Sequence, residues 1–151
     1  VAKIKQAQIV VDDLWNENHL AEIVKMMKVH PQESVYTTSY EYSDSRKMFK
    51  HPHNTTIFKV EDYFKESIRE SLICTGTVVI HKDCFERVGA FNEQFSIGED
   101  IDLWARLAKV YEIVKSAKIT LIYRVDSENK LSVRKSKLKD SMFSTLSLKG
   151  F

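Results

Sequence analysis

The sequence predicts an α/β fold, and three patterns predict it. Short apolar runs, Ile9-Val10-Val11 and Val78-Val79-Ile80, stop at polar residues and read as buried strands. Val35 to Tyr42 alternates from face to face, as a strand with one covered side does. Between such runs, apolar residues recur at helical spacing: Leu20, Ile23, Val24 and Met27 in one segment, and Ile101, Trp104, Leu107, Ala108 and Tyr111 in another.

Composition bounds the rest. A chain of 151 residues with 43% hydrophobic content builds one ordinary core, so one main domain is expected over residues 1–132, followed by a basic stretch over 133–151. The balance of 23 Lys and Arg against 21 Asp and Glu leaves a net charge of +2, which argues for no nucleic-acid partner. Cys74 and Cys84 lack metal-ligand spacing and read as buried thiols of a reducing compartment. No signal peptide is recognised, and no apolar run approaches the roughly 20 residues that span a bilayer. A cytoplasmic location is therefore expected.

Taken in order, Val1 to Gln8 resembles the end of a basic helix. The strand Ile9 to Val11 then delivers Asp12 and Asp13 to the edge of a sheet, where open α/β sheets bind ligands. The amphipathic helix through Met27 ends at His30-Pro31. Along Val35 to Tyr42, residues Tyr36, Thr38, Tyr40 and Tyr42 share a face that either lines a sugar site or packs a half-buried sheet. Residues 43–56 read as a surface loop, whose His51 and His53 lack a third metal-ligand type nearby. Val60, Phe64, Ile68 and Leu72 predict another helix, and Thr75-Gly76-Thr77 breaks it before the Val78 strand. Lys82 to Val88 reads as a brief helix with Cys84, Phe85 and Val88 inward, stopped by Gly89. Ile113-Val114 and Lys118 to Arg124 read as two strands, and Asp126 to Asn129 as a turn. Beyond Val133, Leu138, Met142, Phe143 and Leu146 accompany four basic residues in an amphipathic stretch. It packs on its own domain or a neighbouring subunit, or contacts the inner face of an anionic membrane.

The most informative stretch is Gly98-Glu99-Asp100, just ahead of the Trp104 helix. A carboxylate at a helix N-terminus is held by free backbone N–H groups and the local positive dipole, and Gly98 permits a sharp entry. Two readings stand: Asp100 caps the helix, or it is a base positioned at a cleft rim.

The order of the pieces carries a resemblance. Asp12-Asp13-Leu14-Trp15, an amphipathic helix, the Tyr36 to Tyr42 strand, Thr75 to Ile80, Phe85 to Glu93, Gly98-Glu99-Asp100 with Trp104 and Arg106, and Tyr123-Arg124-Val125 together resemble the family 2 glycosyltransferases. The resemblance runs from about Ile9 to about Ser132. It implies a partial GT-A fold, a nucleotide-diphospho-sugar transferase-like mixed sheet flanked by helices. It also implies a nucleotide-sugar donor, a glycan acceptor, and a divalent ion, Mn²⁺ or Mg²⁺. Carried over, Asp12 is the metal-side acid of a D-x-D motif and Asp13 its neighbour on the donor. Asp100, with Glu99, supplies the base for inverting transfer, and Arg106 lies near phosphate or acid. The motif's usual first acid falls on Val10. Asp126 stands where the family commonly has a His near the metal, and carboxylate oxygen is an acceptable ligand for such ions.

The chain opens where the family's nucleotide-binding half ends, so it reads as the acceptor-side portion of a glycosyltransferase of surface polysaccharide or a related glycan. The alternative is a catalytically silent remnant acting as a binding or assembly module. Sheet edges lacking neighbours then predict a homodimer, because a self-complementary patch covers them most simply.

Overall fold

The structure is a computed structural model that describes residues 13–44, 56–125 and 141–142. In chain order its elements are β1 (Leu14–Trp15), α1 (His19–Val29), β2 (Val35–Tyr42), β3 (Ile57–Lys59), α2 (Tyr63–Ser67), a 3-10 turn (Thr75–Thr77), β4 (Val78–Ile80), α3 (Asp83–Val88), α4 (Glu99–Ala108) and β5 (Ile113–Tyr123). The expected Ile9 strand, the Val1 helix, the loop histidines, the Asp126 turn and all of 133–151 except Ser141 and Met142 lie outside the described residues.

The expected mixed sheet flanked by helices is present. At its centre β2 and β5 run parallel, from Val35 opposite Ile113 to Tyr42 opposite Tyr123. β4 pairs antiparallel with β2 on one edge. On the other side of β5, β3 pairs along its first part and β1 near its carboxyl end, both antiparallel.

Both central strands are covered on both faces. Val35 and Ile113 pack with Leu103, Trp104 and Leu107 of α4 and Cys84 of α3, whereas their neighbours Tyr36 and Val114 pack with Ile23 and Met26 of α1. That is why Val35 to Thr38 are buried without a break, although the tyrosine spacing suggested one exposed face. A third cluster, Tyr40, Cys74 and Leu121, closes the carboxyl end. Gly89 ends α3 as expected, its N–H donating to Phe85 O at 2.9 Å.

Four expectations need correction. α1 is present, but Leu20 and Val24 are 48% and 42% exposed, and its inward face is His19, Glu22, Ile23 and Met26. The helix is rotated because both polar residues find buried partners: Glu22 Oε1 accepts from Ser116 Oγ at 2.7 Å, and His19 Nδ1 shares a 2.7 Å bond with Thr120 Oγ1. The helix expected across Val60 to Leu72 is reduced to the five residues of α2, which follow the end of β3 at Lys59. Val60 N donates to Ile113 O at 2.9 Å, Asp62 caps α2 by accepting from Lys65 N at 3.0 Å, and Ile68 is 85% exposed, so the four-residue spacing was coincidental. In α4 the buried stripe is Leu103, Trp104 and Leu107, while Ile101 is 45% exposed. Finally, the two strands expected between Ile113 and Arg124 are one strand. Its irregular middle, where pairing jumps from Thr37–Lys115 to Ser39–Ile119, broke the alternation that the sequence presents.

Among the described residues no helix is long and apolar enough to cross a membrane.

Lys115 is buried in this core at 3% exposure, its Nζ donating to Leu72 O at 2.8 Å. Burial pulls its ammonium down to about 8 from an ordinary 10.5, against the opposing fields of Glu70, Cys74 and Glu66. Between those values the unfolded chain holds the proton and the folded chain does not, so stability rises with pH through that window. The shift corresponds to roughly 3 kcal/mol. We expect wild type to gain stability relative to Lys115→Met from about pH 7 to about pH 10, by up to that amount. Urea unfolding of both proteins across the range reads it, and a constant difference would count against a buried ammonium.

Candidate active site

The Asp13 to Trp15 segment is fastened at two points. Trp15 Nε1 donates to Gly76 O at 2.8 Å, and the N–H of Arg124, just past the end of β5, donates to Asp13 Oδ1 at 3.3 Å. Gly76 makes room for this: a Cβ there would lie 2.6 Å from Leu121 Cδ1 and 3.2 Å from Asp13 Oδ2. The turn holding Gly76 is itself pinned, since Thr77 N donates to Cys74 O at 2.9 Å and Thr77 Oγ1 shares a 2.9 Å bond with Thr37 Oγ1 of β2. Asp13 is thus carried by three neighbouring elements at the carboxyl end of the parallel pair, where open α/β sheets bind ligands.

The second carboxylate comes from α4. Gly98, at φ +76°, is the residue before the helix, a backbone setting that other residues rarely adopt. Glu99 and Asp100 follow as its first two residues, both half-buried. Asp100 therefore does not occupy the capping position. Its Oδ1 accepts from the N–H of Ile101 at 2.8 Å.

Both acids act electrostatically on Tyr123. Burial is the main reason its phenol is raised above the ordinary value, and the charges of Asp13 and Asp100 both add to it, together with Cys74 and Tyr42. Burial likewise pushes the Cys74 thiol up to about 11, opposed by a hydrogen bond from the Gly76 backbone and reinforced by Asp13 and then Asp100. So high a value keeps Cys74 an inert thiol. Tyr63 is pushed up to about 12, by burial and then by Asp100. Tyr42 and Tyr123, paired across β2 and β5, contact each other edge to face at 5.6 Å, and both rings contact the buried Tyr40. Two carboxylates, three phenols and the Gly76 turn thus share one end of the sheet.

Arg106 lies elsewhere. Its guanidinium binds Asp102 through Nε at 2.9 Å and Nη2 at 2.8 Å, and also donates to the carbonyls of Val88, Gly89 at 3.3 Å and Ala90 at 2.8 Å. So engaged, it braces the segment between α3 and α4. Asp12 and Asp126 lie outside the described residues, and among the described ones no three His, Cys, Asp or Glu side chains are grouped to hold a metal ion. Asp13, beside Gly76 and the start of the Arg124 segment, offers carboxylate oxygen, the ligand type that hard divalent cations take.

Sequence reading missed the parts that fasten the site. Nothing in the pattern says that the Trp15 indole would bind the Gly76 carbonyl 61 residues away. The one available signal was Gly76 itself, between two threonines ahead of a strand.

The family model for glycosyltransferase-like family 2 matches residues 7–149. The chain belongs to this family. No curated protein and no solved structure matched it. The match covers every element described above, and the glycosyltransferase-like chain places both its acid-bearing segments at one sheet end.

For this family 2 domain we expect Gly76→Ala to lower stability by about 1–3 kcal/mol, since the new methyl collides with the fully buried Leu121 and crowds Asp13. Denaturant unfolding checks this, and an unchanged midpoint would mean that Leu121 yields freely.

Proposed function

We propose that this chain is a glycosyltransferase domain that moves a sugar from a nucleotide-diphosphate donor to a glycan hydroxyl with inversion, in assembly of a surface polysaccharide or related glycan. The observation that carries the proposal is the family match, in a chain that holds Asp13 at the carboxyl end of β5 and enters α4 through Gly98-Glu99-Asp100.

In the proposed reaction Asp100 accepts the proton of the acceptor hydroxyl. The oxygen so freed forms a bond to the anomeric carbon as the bond from that carbon to the diphosphate breaks, and the nucleoside diphosphate leaves with the bonding pair. Ile101 N–H holds one carboxylate oxygen and fixes the direction of the other. Glu99 adds negative charge beside the base. Tyr42 and Tyr123 offer an aromatic wall of the kind that sugar rings pack against. Asp12 and Asp126 are the proposed holders of a divalent ion, which when bound would offset charge on the leaving diphosphate. Arg106 acts at a distance, by holding the α3–α4 segment to Asp102.

Transfer assayed with Mn²⁺ and a panel of uridine, guanosine and thymidine diphosphate sugars tests the proposal. A positioned base contributes about 10²–10⁴-fold, so Asp100→Asn should lower kcat by that factor while donor binding persists. Equal rates for the two proteins would remove Asp100 from the mechanism. Donor binding by wild type with no turnover on any acceptor would favour the silent binding module instead.

A further inference from the structure

The first turn of α4 is the least supported part of the helix that carries Asp100. Leu103, Trp104 and Leu107 fix the body of α4 in the core, but Glu99 and Asp100 are only half-buried and Ile101 faces solvent. Helix ends held by so little tend to fray. A base must keep its place closely, since a displacement of about 1 Å can cost on the order of 100-fold in rate.

A contact from far along the chain stands at this weak point. Ile97 forms a parallel bridge with Ser141, and Met142 N donates to Ile97 O at 3.2 Å. Ser141 is buried, at 2% exposure. The Met142 side chain lies directly on Gly98, where an added Cβ would sit 2.7 Å from Met142 Cγ and 3.0 Å from Sδ. Gly98 in turn accepts from Asp102 N at 2.9 Å, the first backbone bond of the helix. Gly98 is therefore constrained twice, by its positive φ and by the thioether against it. An unbranched, adaptable side chain suits such close contact with bare backbone.

We propose that Met142 is a positioning residue: the Ser141–Met142 segment clasps the Ile97–Gly98 turn and holds the first turn of α4, so that Asp100 keeps its setting at the site. The clasp links the far end of the chain to the base without touching substrate. Its use rests on the proposed role of Asp100, but the contact itself can be tested separately.

The test compares wild type, Met142→Ala, Met142→Leu and Asp100→Asn in the full chain, using the nucleotide-sugar panel and amide hydrogen exchange. Met142→Ala should lower kcat roughly ten-fold or more, leave KM for the donor within about two-fold, and speed exchange in the first turn of α4 but not at Leu107. Met142→Leu, which restores the bulk, should recover most of both. Wild-type turnover and exchange in Met142→Ala, alongside a loss in Asp100→Asn, would overturn the clasp and leave the base in place. Wild-type turnover in Asp100→Asn would instead remove the base, and with it the catalytic use of the clasp, even if Met142→Ala still loosened the turn. A loss in Met142→Ala shared equally by α4 and the rest of the fold would show a merely structural residue and overturn the proposal.

Discussion

The parallel pairing of β2 with β5 frames the described part of the candidate site. Because both strands are covered on both faces, a one-residue slip would carry Val35 and Ile113 from the α4 side to the α1 side and their neighbours the other way. Register is thereby fixed, and the strands end together at Tyr42 and Tyr123. Asp13 reaches this end through β1, the Gly76 turn through β4, and Asp100 through the entry to α4. Three segments distant in sequence are brought together by one pairing.

The polar groups inside this pairing reinforce it. Thr38 Oγ1, Thr120 Oγ1 and His19 Nδ1 form a chain of 2.6 and 2.7 Å bonds between β2, β5 and α1, and the His19 ring stacks on Trp15 at 4.3 Å. Burial holds His19 below its ordinary pKa, so it favours the neutral form. Such groups add little net stability but are costly to leave unmatched, and they therefore disfavour alternative packings of α1 on the sheet. Trp15 joins this network to the site, since one indole stacks on His19 and bonds Gly76.

What the sequence shows follows from what each pattern measures. Hydrophobic period identifies element type when one face is apolar, so α1, β2, α3 and α4 were legible. It cannot say which polar residues will find buried partners, and so it set the face of α1 wrongly at Leu20 and Val24. It also fails when a strand changes register, as β5 does after Lys115, or when apolar residues such as Val60 and Leu72 flank a short helix without being part of it. The Asp100 segment was legible because glycine, two acids and an amphipathic helix fall in a row. Its relation to Asp13, Tyr123 and Met142 was not, because those contacts exist only once the sheet is assembled.

Electrostatics then limits how the proposed donor can be held. Asp13 and Asp100 both raise the negative potential at Tyr123, and the proposed diphosphate brings more. Unit charges about 4 Å apart repel by about 1 kcal/mol in water and about 4 kcal/mol at an effective dielectric near 20. Two of the described cations are already engaged: Lys115 is buried against the Leu72 carbonyl, and Arg106 is held by Asp102 and the α3–α4 carbonyls. Positive charge brought with the donor would leave both contacts intact. The divalent ion proposed above therefore suits the donor better than any rearrangement of these two side chains, because freeing either cation would leave its present carbonyl or carboxylate partners unsatisfied.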